Sequence, residues 1–215
     1  MDDRPDLPPL PTLVRTEPVQ HRSAQRVALL LDAAAELIDA NGIDILTTSD
    51  VATRSGSSVG VVYRYFPNIQ SLLRALAGRN FETYTARVVA MLASDTTSRA
   101  SALDAAIDVF VDLNRTHPGF RALRFGDVID DRFLDPELSN NGVRVRSFAA
   151  ILGERYAFTP TAALIFELEV IVEIEDALLK RAFLLDSVGD HRFIEKARDI
   201  AQEYLGRYAV AGGAR

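Results

Sequence analysis

From about residue 23 onward, apolar residues return every three or four positions, the mark of helices with one buried face. The first such segment, from about Ala24 to Asn41, sets Leu30, Ala34, Leu37 and Ile38 on one side, with Gly42 where a helix stop belongs. Short segments follow at Ser49–Ser55 and Val59–Phe66, separated by a turn, and a long one runs from near Asn68 to Ser94. Further helices are predicted over roughly 99–116, 118–126, 136–157, 161–186 and 190–209. No stretch alternates apolar and polar residues with period two over a useful length, so no sheet is expected. The pattern predicts an all-α fold.

Prolines punctuate this pattern. Pro5, Pro8, Pro9, Pro11 and Pro18 crowd the first 18 residues, which predicts a flexible arm over 1–22. Pro67, Pro118, Pro136 and Pro160 each precede an apolar-periodic segment, where a missing N–H suits the start of a helix.

Composition narrows the class. With 48% hydrophobic and 25% charged residues, the chain resembles an ordinary soluble globular protein. It has no Cys, which excludes disulfides, thiolate metal sites and cysteine nucleophiles. Its three histidines, His21, His117 and His191, are far apart and form no ligand-spaced pair, so no metal and no cofactor are expected. Without a nucleophile–base spacing or a Gly-rich phosphate loop, an enzyme is not expected either. No apolar run approaches the roughly 20 residues of a membrane span and no signal-peptide core is present, so the expected location is the cytoplasm.

The net charge of −6 argues at first against a nucleic-acid partner, but the charge is uneven. Residues 1–22 sum to −1, residues 23–80 to zero and residues 81–215 to −5. Within the middle block Arg54, Arg64, Arg74 and Arg79 follow the last acid, Asp50. A locally basic stretch therefore sits inside an acidic protein.

That stretch contains the most informative motif. Over residues 47–66, two helices of about two turns flank a tight turn at Gly56, the plan of a helix-turn-helix. Thr48 can cap the first helix and Ser58 the second, Ala52 is small where helices cross, and Gly56 allows positive φ. Val62 and Phe66, four apart, face a small core. Val59, Val61, Tyr63, Arg64 and Tyr65 are left around the other faces of a helix short enough for a major groove.

Residues 26–76 resemble the N-terminal domain of the tetracycline-repressor (TetR) family of regulators. Leu30-Leu31-Asp32-Ala33-Ala34, Leu37 and Asn41-Gly42 match its first helix and stop, and Thr47-Thr48 with Asp50-Val51-Ala52 match its second. Gly56, Ser58, Gly60, Val62, Tyr63, Tyr65 and Phe66 match its third, and Leu72-Leu73 the start of its fourth. Two departures stand out: Ile69 replaces the usual phosphate-contacting Lys, and Ser57 replaces an apolar turn residue. The resemblance implies that Val59, Gly60 and Val61 approach base edges, and that Arg64 reaches guanine or phosphate. It implies that Thr48, Tyr63, Tyr65 and Asn68 bond phosphate oxygens, with Ser58 opening the groove helix. Arg15 and Arg22 of the arm are candidates for a minor groove.

The resemblance divides the chain into the arm (1–22), a DNA-binding domain (23–70) and a larger helical domain for effector binding and dimerisation (71–215). Candidate ligand residues in the last are Tyr84, Val88, Phe110, Asn114, Arg121, Phe125, Phe148, Glu169 and Glu173. In the segment 161–186, Leu164, Leu168, Ile171, Glu175 and Leu178 share one side, while Glu169, Glu173, Asp176 and Lys180 share another, expected to be solvated and closed by an Asp176–Lys180 pair. By family analogy this helix and 190–209 form a two-fold dimer interface. The chain thus reads as a homodimeric repressor that leaves a palindromic operator when a small molecule binds. The alternative is a DNA-binding regulator, activator or constitutive repressor, with no small-molecule effector.

Overall fold

The computed structural model describes residues 21–94, 99–123, 139–156 and 159–212, with backbone only at the outer ends of some helices. Among them are eight helices and no strand: α1 (His21–Asn41), α2 (Thr48–Arg54), α3 (Val59–Tyr65), α4 (Ile69–Ser94), α5 (Arg99–Thr116), α6 (Asn140–Tyr156), α7 (Ala162–Phe183) and α8 (His191–Gly212). Every helix lies where the apolar period predicts one, save the segment expected at 118–126. Its described part, residues 118–123, is a run of turns. Gly119 takes φ +73° there, which a helix does not allow.

The chain divides into two compact units, the boundary falling within α4 between Glu82 and Thr83. The first holds α1–α3, the start of α4 and residues 116–123. Its core is apolar: Leu30, Ala34, Ile38, Val51, Val62, Phe66, Leu72 and Leu76 are all at or near zero exposure. Leu72 and Leu73 join this core as the periodicity requires, and Leu123 enters it from the turns after α5. Ion pairs fasten the outside, with Arg54 on Glu36 at 2.5 Å, Arg79 on Asp32 at 2.6 Å and Arg121 on Asp39 at 3.5 Å. Each is solvent-screened and contributes little, about 0–1 kcal/mol.

The second unit holds the rest of α4 with α5–α8. Helices α7 and α8 form its largest described packing, joined by a turn in which Asp190 N–H donates to the carbonyl of Ala182 at 3.0 Å. Gly189 sits in that turn at φ +87°, where an added Cβ would come within 2.8 Å of the Phe183 ring. Only glycine satisfies both demands. Arg198 of α8 reaches α5, donating to the Asp104 carbonyl at 3.3 Å and pairing with Asp108. Arg87 ties α4 to α5 through Asp112 at 2.5 Å.

Candidate functional site

Local chemistry fixes the helix-turn-helix. Thr47 is the N-cap of α2: its hydroxyl accepts from Asp50 N–H while the Asp50 carboxylate accepts from Thr47 N–H, a capping box. This corrects the expectation that Thr48 caps the helix. Thr48 is instead the first helical residue, and its hydroxyl is free to reach across to the hydroxyl of Tyr63 on α3 at 3.3 Å. The chain leaves α2 through Gly56 at φ +62°, in the left-handed region that glycine enters at little cost. Ser58 then caps α3 by accepting from Val61 N–H at 3.3 Å, as expected.

Helix α3 presents two faces. Val62 and Tyr65 turn inward with the following Phe66, and Val61 is half-buried against the same core. Tyr65 is only 8% exposed, so the ring expected beside a phosphate is a core residue. The i, i+3 and i+4 positions of a helix share a side, and Tyr65 falls three after Val62. Val59, Gly60, Tyr63 and Arg64 are exposed, Tyr63 at 46%. Arg54 and Arg79 are neutralised on α1 carboxylates. Arg64 has no hydrogen-bond or ion-pair partner among the described residues. Asn68 caps α4, its Oδ1 accepting from Ser71 N–H at 2.8 Å, and is exposed at the entrance to that helix. Val59, Gly60, Tyr63, Arg64, Thr48, Ser58 and Asn68 thus belong to α3 and the two helix starts flanking it. That surface couples one free guanidinium to hydroxyl and amide donors of the kind that bind phosphate oxygens and base edges.

The second unit buries charge. Arg144 of α6 is 6% exposed and lies over two rings, 6.0 Å from the centroid of Tyr84 and 5.9 Å from that of Phe110, which meet edge to face at 6.3 Å. Asp176 of α7 stands 3.7 Å from the guanidinium, half-buried rather than solvated. Glu175 beside it is 6% exposed. Burial pushes its carboxyl up to about 7, against the opposing pull of Arg144. Burial likewise pushes the Tyr84 hydroxyl up to about 12, with Arg144 opposing and Glu175 adding. Asn114 follows Phe110 by one turn of α5 and is 3% exposed; its Nδ2 donates to the Phe110 carbonyl at 2.9 Å. Asn141 precedes Arg144 by three residues on α6 and donates through Nδ2 to Glu173 at 3.1 Å.

Of the residues expected around a ligand, the structure gathers Tyr84, Phe110 and Asn114, with Glu173 at the edge through Asn141. Val88 and Phe148 are buried on α4 and α6, and Glu169 is half-buried on α7. Arg121 lies in the first unit, paired with Asp39. Phe125 lies outside the described residues, as does the arm through Gln20. Sequence reasoning did not single out Asn141, Arg144 or Glu175 as site residues. The signals were present: Glu175 interrupts the apolar stripe of α7, and Arg144 stands between Val143 and Val145.

Two family profiles match the chain. One, described as bacterial regulatory proteins of the tetR family, matches residues 30–76, and the other, tetracyclin repressor-like C-terminal domain, matches residues 97–209. Among solved structures, a TetR-family transcriptional regulator from Streptomyces coelicolor is 34% identical, with TM-score 0.72 over 85% of this chain and 98% of that one. The fatty acid degradation regulator FadR from Bacillus halodurans is 16% identical, with TM-score 0.59 over 81% of this chain and 97% of its own. RolR, solved in complex with resorcinol, is 17% identical, with TM-score 0.54 over 85% and 94%. The last two share the fold. No curated protein sequence matches the chain.

Proposed function

We propose, from the premise that this chain belongs to the tetracycline-repressor (TetR) family of transcriptional regulators, that it is a homodimeric repressor released from a palindromic operator by a small molecule. Regulators of this family bind DNA and small-molecule effectors and act as dimers. The observation that carries the reading is the outer face of α3, where Arg64 is exposed and unpaired beside Tyr63, with Thr48 at hydrogen-bonding distance from the tyrosine.

In this reading residues 23–70 are the DNA-binding domain, residues 71–215 bind effector and dimerise, and the expected arm at 1–22, whose last two residues His21 and Arg22 open α1 instead, brings Arg15 and Arg22 to a minor groove. Val59, Gly60 and Val61 approach base edges, where valine reads only thymine methyls or sugars, and Arg64 takes a guanine or a phosphate. Thr48, Tyr63 and Asn68 hold phosphate oxygens, aided by the α4 dipole. Two copies of α3 then sit one DNA turn apart, roughly 34 Å. Because α4 carries residues of both units, a ligand that shifts it has a physical route to the spacing of the heads. The expected antagonism between ligand and operator is about 1–3 kcal/mol.

Footprinting on the DNA upstream of the chain's own gene, with sedimentation at the same concentration, tests this. A protected palindrome bound by a dimer is expected. A strictly monomeric protein with full operator affinity rejects the dimer, and an operator affinity that no compound changes favours a regulator without effector.

A further inference from the structure

The buried polar cluster of the second unit contains more hydrogen-bonding capacity than the protein uses. Asn114 Oδ1, Asn141 Oδ1, Glu175 Oε1 and Arg144 Nη1 are each shielded from solvent and have no hydrogen-bond partner among the described residues. All four side chains are more than nine-tenths buried. The amide orientations are fixed, because each Nδ2 already donates, to Phe110 carbonyl and to Glu173 respectively, and so the oxygens are left over. The surplus is two amide acceptors, one carboxyl oxygen and one cationic donor, with Arg144 lying over Tyr84 and Phe110. Native interiors leave few such atoms, because a buried polar atom without a partner has lost its hydration and gained nothing in return. The charge is close to balanced, since Arg144 faces Asp176 and a Glu175 that burial holds largely protonated below neutral pH. An added anion would lie beside two carboxyl groups, and an added cation beside a guanidinium.

We infer that Arg144, Glu175, Asn114 and Asn141 form the effector site, and that its ligand is a small neutral phenol-like molecule with two or more hydroxyls. Each hydroxyl donates to one of the acceptors and offers a lone pair to Arg144, while the flat apolar body meets the two rings. The inference rests on the effector reading above and gives that effector a chemistry.

The test is calorimetric titration of the full-length protein with dihydroxybenzenes, their dimethyl ethers, benzoate and benzylamine, beside anisotropy of operator DNA. Saturable binding of a dihydroxybenzene at one molecule per chain is expected, with no binding of the matching ether, benzoate or benzylamine. Glu175→Gln and Asn114→Leu should each weaken it about tenfold or more, and circular dichroism checks that both variants fold. Equal binding of the ethers, preference for the acid or the amine, or binding by no compound of the panel overturns the inference. A dihydroxybenzene that binds but leaves the operator occupied upholds the site and rejects the inducer reading. Benzoate that binds and releases DNA does the reverse.

Discussion

The two units differ in what they bury: the first encloses apolar and neutral polar side chains, the second a guanidinium and a carboxyl as well. In the first, the centre is made of Leu, Ile, Val, Ala and Phe, and the charges of Arg54, Arg79 and Arg121 are paired at the surface. Of its buried polar side chains, Ser55 donates to the Ala52 carbonyl at 3.2 Å, while Asn80 on α4 leaves its Nδ2 without a hydrogen-bond partner among the described residues. In the second, a guanidinium, a carboxyl and two amides lie inside with unmet atoms. A head that must present one short helix in a fixed orientation gains from a core built almost entirely of apolar side chains. On the effector reading proposed above, the second unit keeps groups whose best partner is not its own chain. Stability and responsiveness then rest on different residues, and substitutions can separate them.

The largest expected effect is Phe66→Ala. Phe66 is fully buried in the first unit, so its loss should cost about 3–5 kcal/mol. Urea denaturation should show the head melting first, with DNA binding abolished and the α5–α8 helical signal retained. Simultaneous loss of all helix at lower denaturant would break the separation of the units.

Glu175→Gln probes the other side. The carboxyl rises from 4.5 to about 7 on folding, chiefly through burial, with Arg144 pulling the other way. Between those values the folded chain holds a proton that the unfolded chain has released. Stability therefore falls as pH rises from about 4.5 to about 7 and levels off above, by up to about 1.4 kcal/mol per pH unit. Thermal melts across that window should show this slope in the parent and its loss in Glu175→Gln. An unchanged slope in the variant would place the titration elsewhere.

Arg64→Ala should leave melting unchanged, because the side chain is exposed and unpaired, yet weaken DNA binding by about 1–3 kcal/mol. If the loss is uniform across sequences and flattens the salt dependence, Arg64 holds a phosphate; if it relaxes one base pair, Arg64 reads a guanine. Full affinity in the variant would mean α3 is not the groove-facing helix.

The smallest effect belongs to Thr47→Ala, which removes one half of the α2 capping box and should cost about 1 kcal/mol with DNA contacts intact. Thr48→Ala should behave in the opposite sense, sparing stability and weakening DNA binding. Equal behaviour of the two neighbours would contradict the division between cap and contact.

The order of the helices, the turn at Gly56, the cap at Ser58 and the core positions Val62, Phe66, Leu72 and Leu73 were all legible along the chain. They rest on forces acting within a few residues: the 3.6-residue period, caps and glycine dihedrals. Where sequence reasoning went astray, a non-local contact or a one-residue shift decided. Thr47 rather than Thr48 closes the capping box, Tyr65 turns into the core, and residues 118–123 fold as turns whose Leu123 enters the core with α1. The polar cluster lies furthest from sequence reasoning. Tyr84, Phe110, Arg144 and Glu175 come from four helices and are far apart along the chain, and each looks ordinary on its own helix. An arginine between valines and a glutamate in an apolar stripe carry no instruction about which partner they meet. That choice belongs to the packing of α4, α5, α6 and α7, because burial and the electrostatics it creates depend on neighbours the local sequence does not contain.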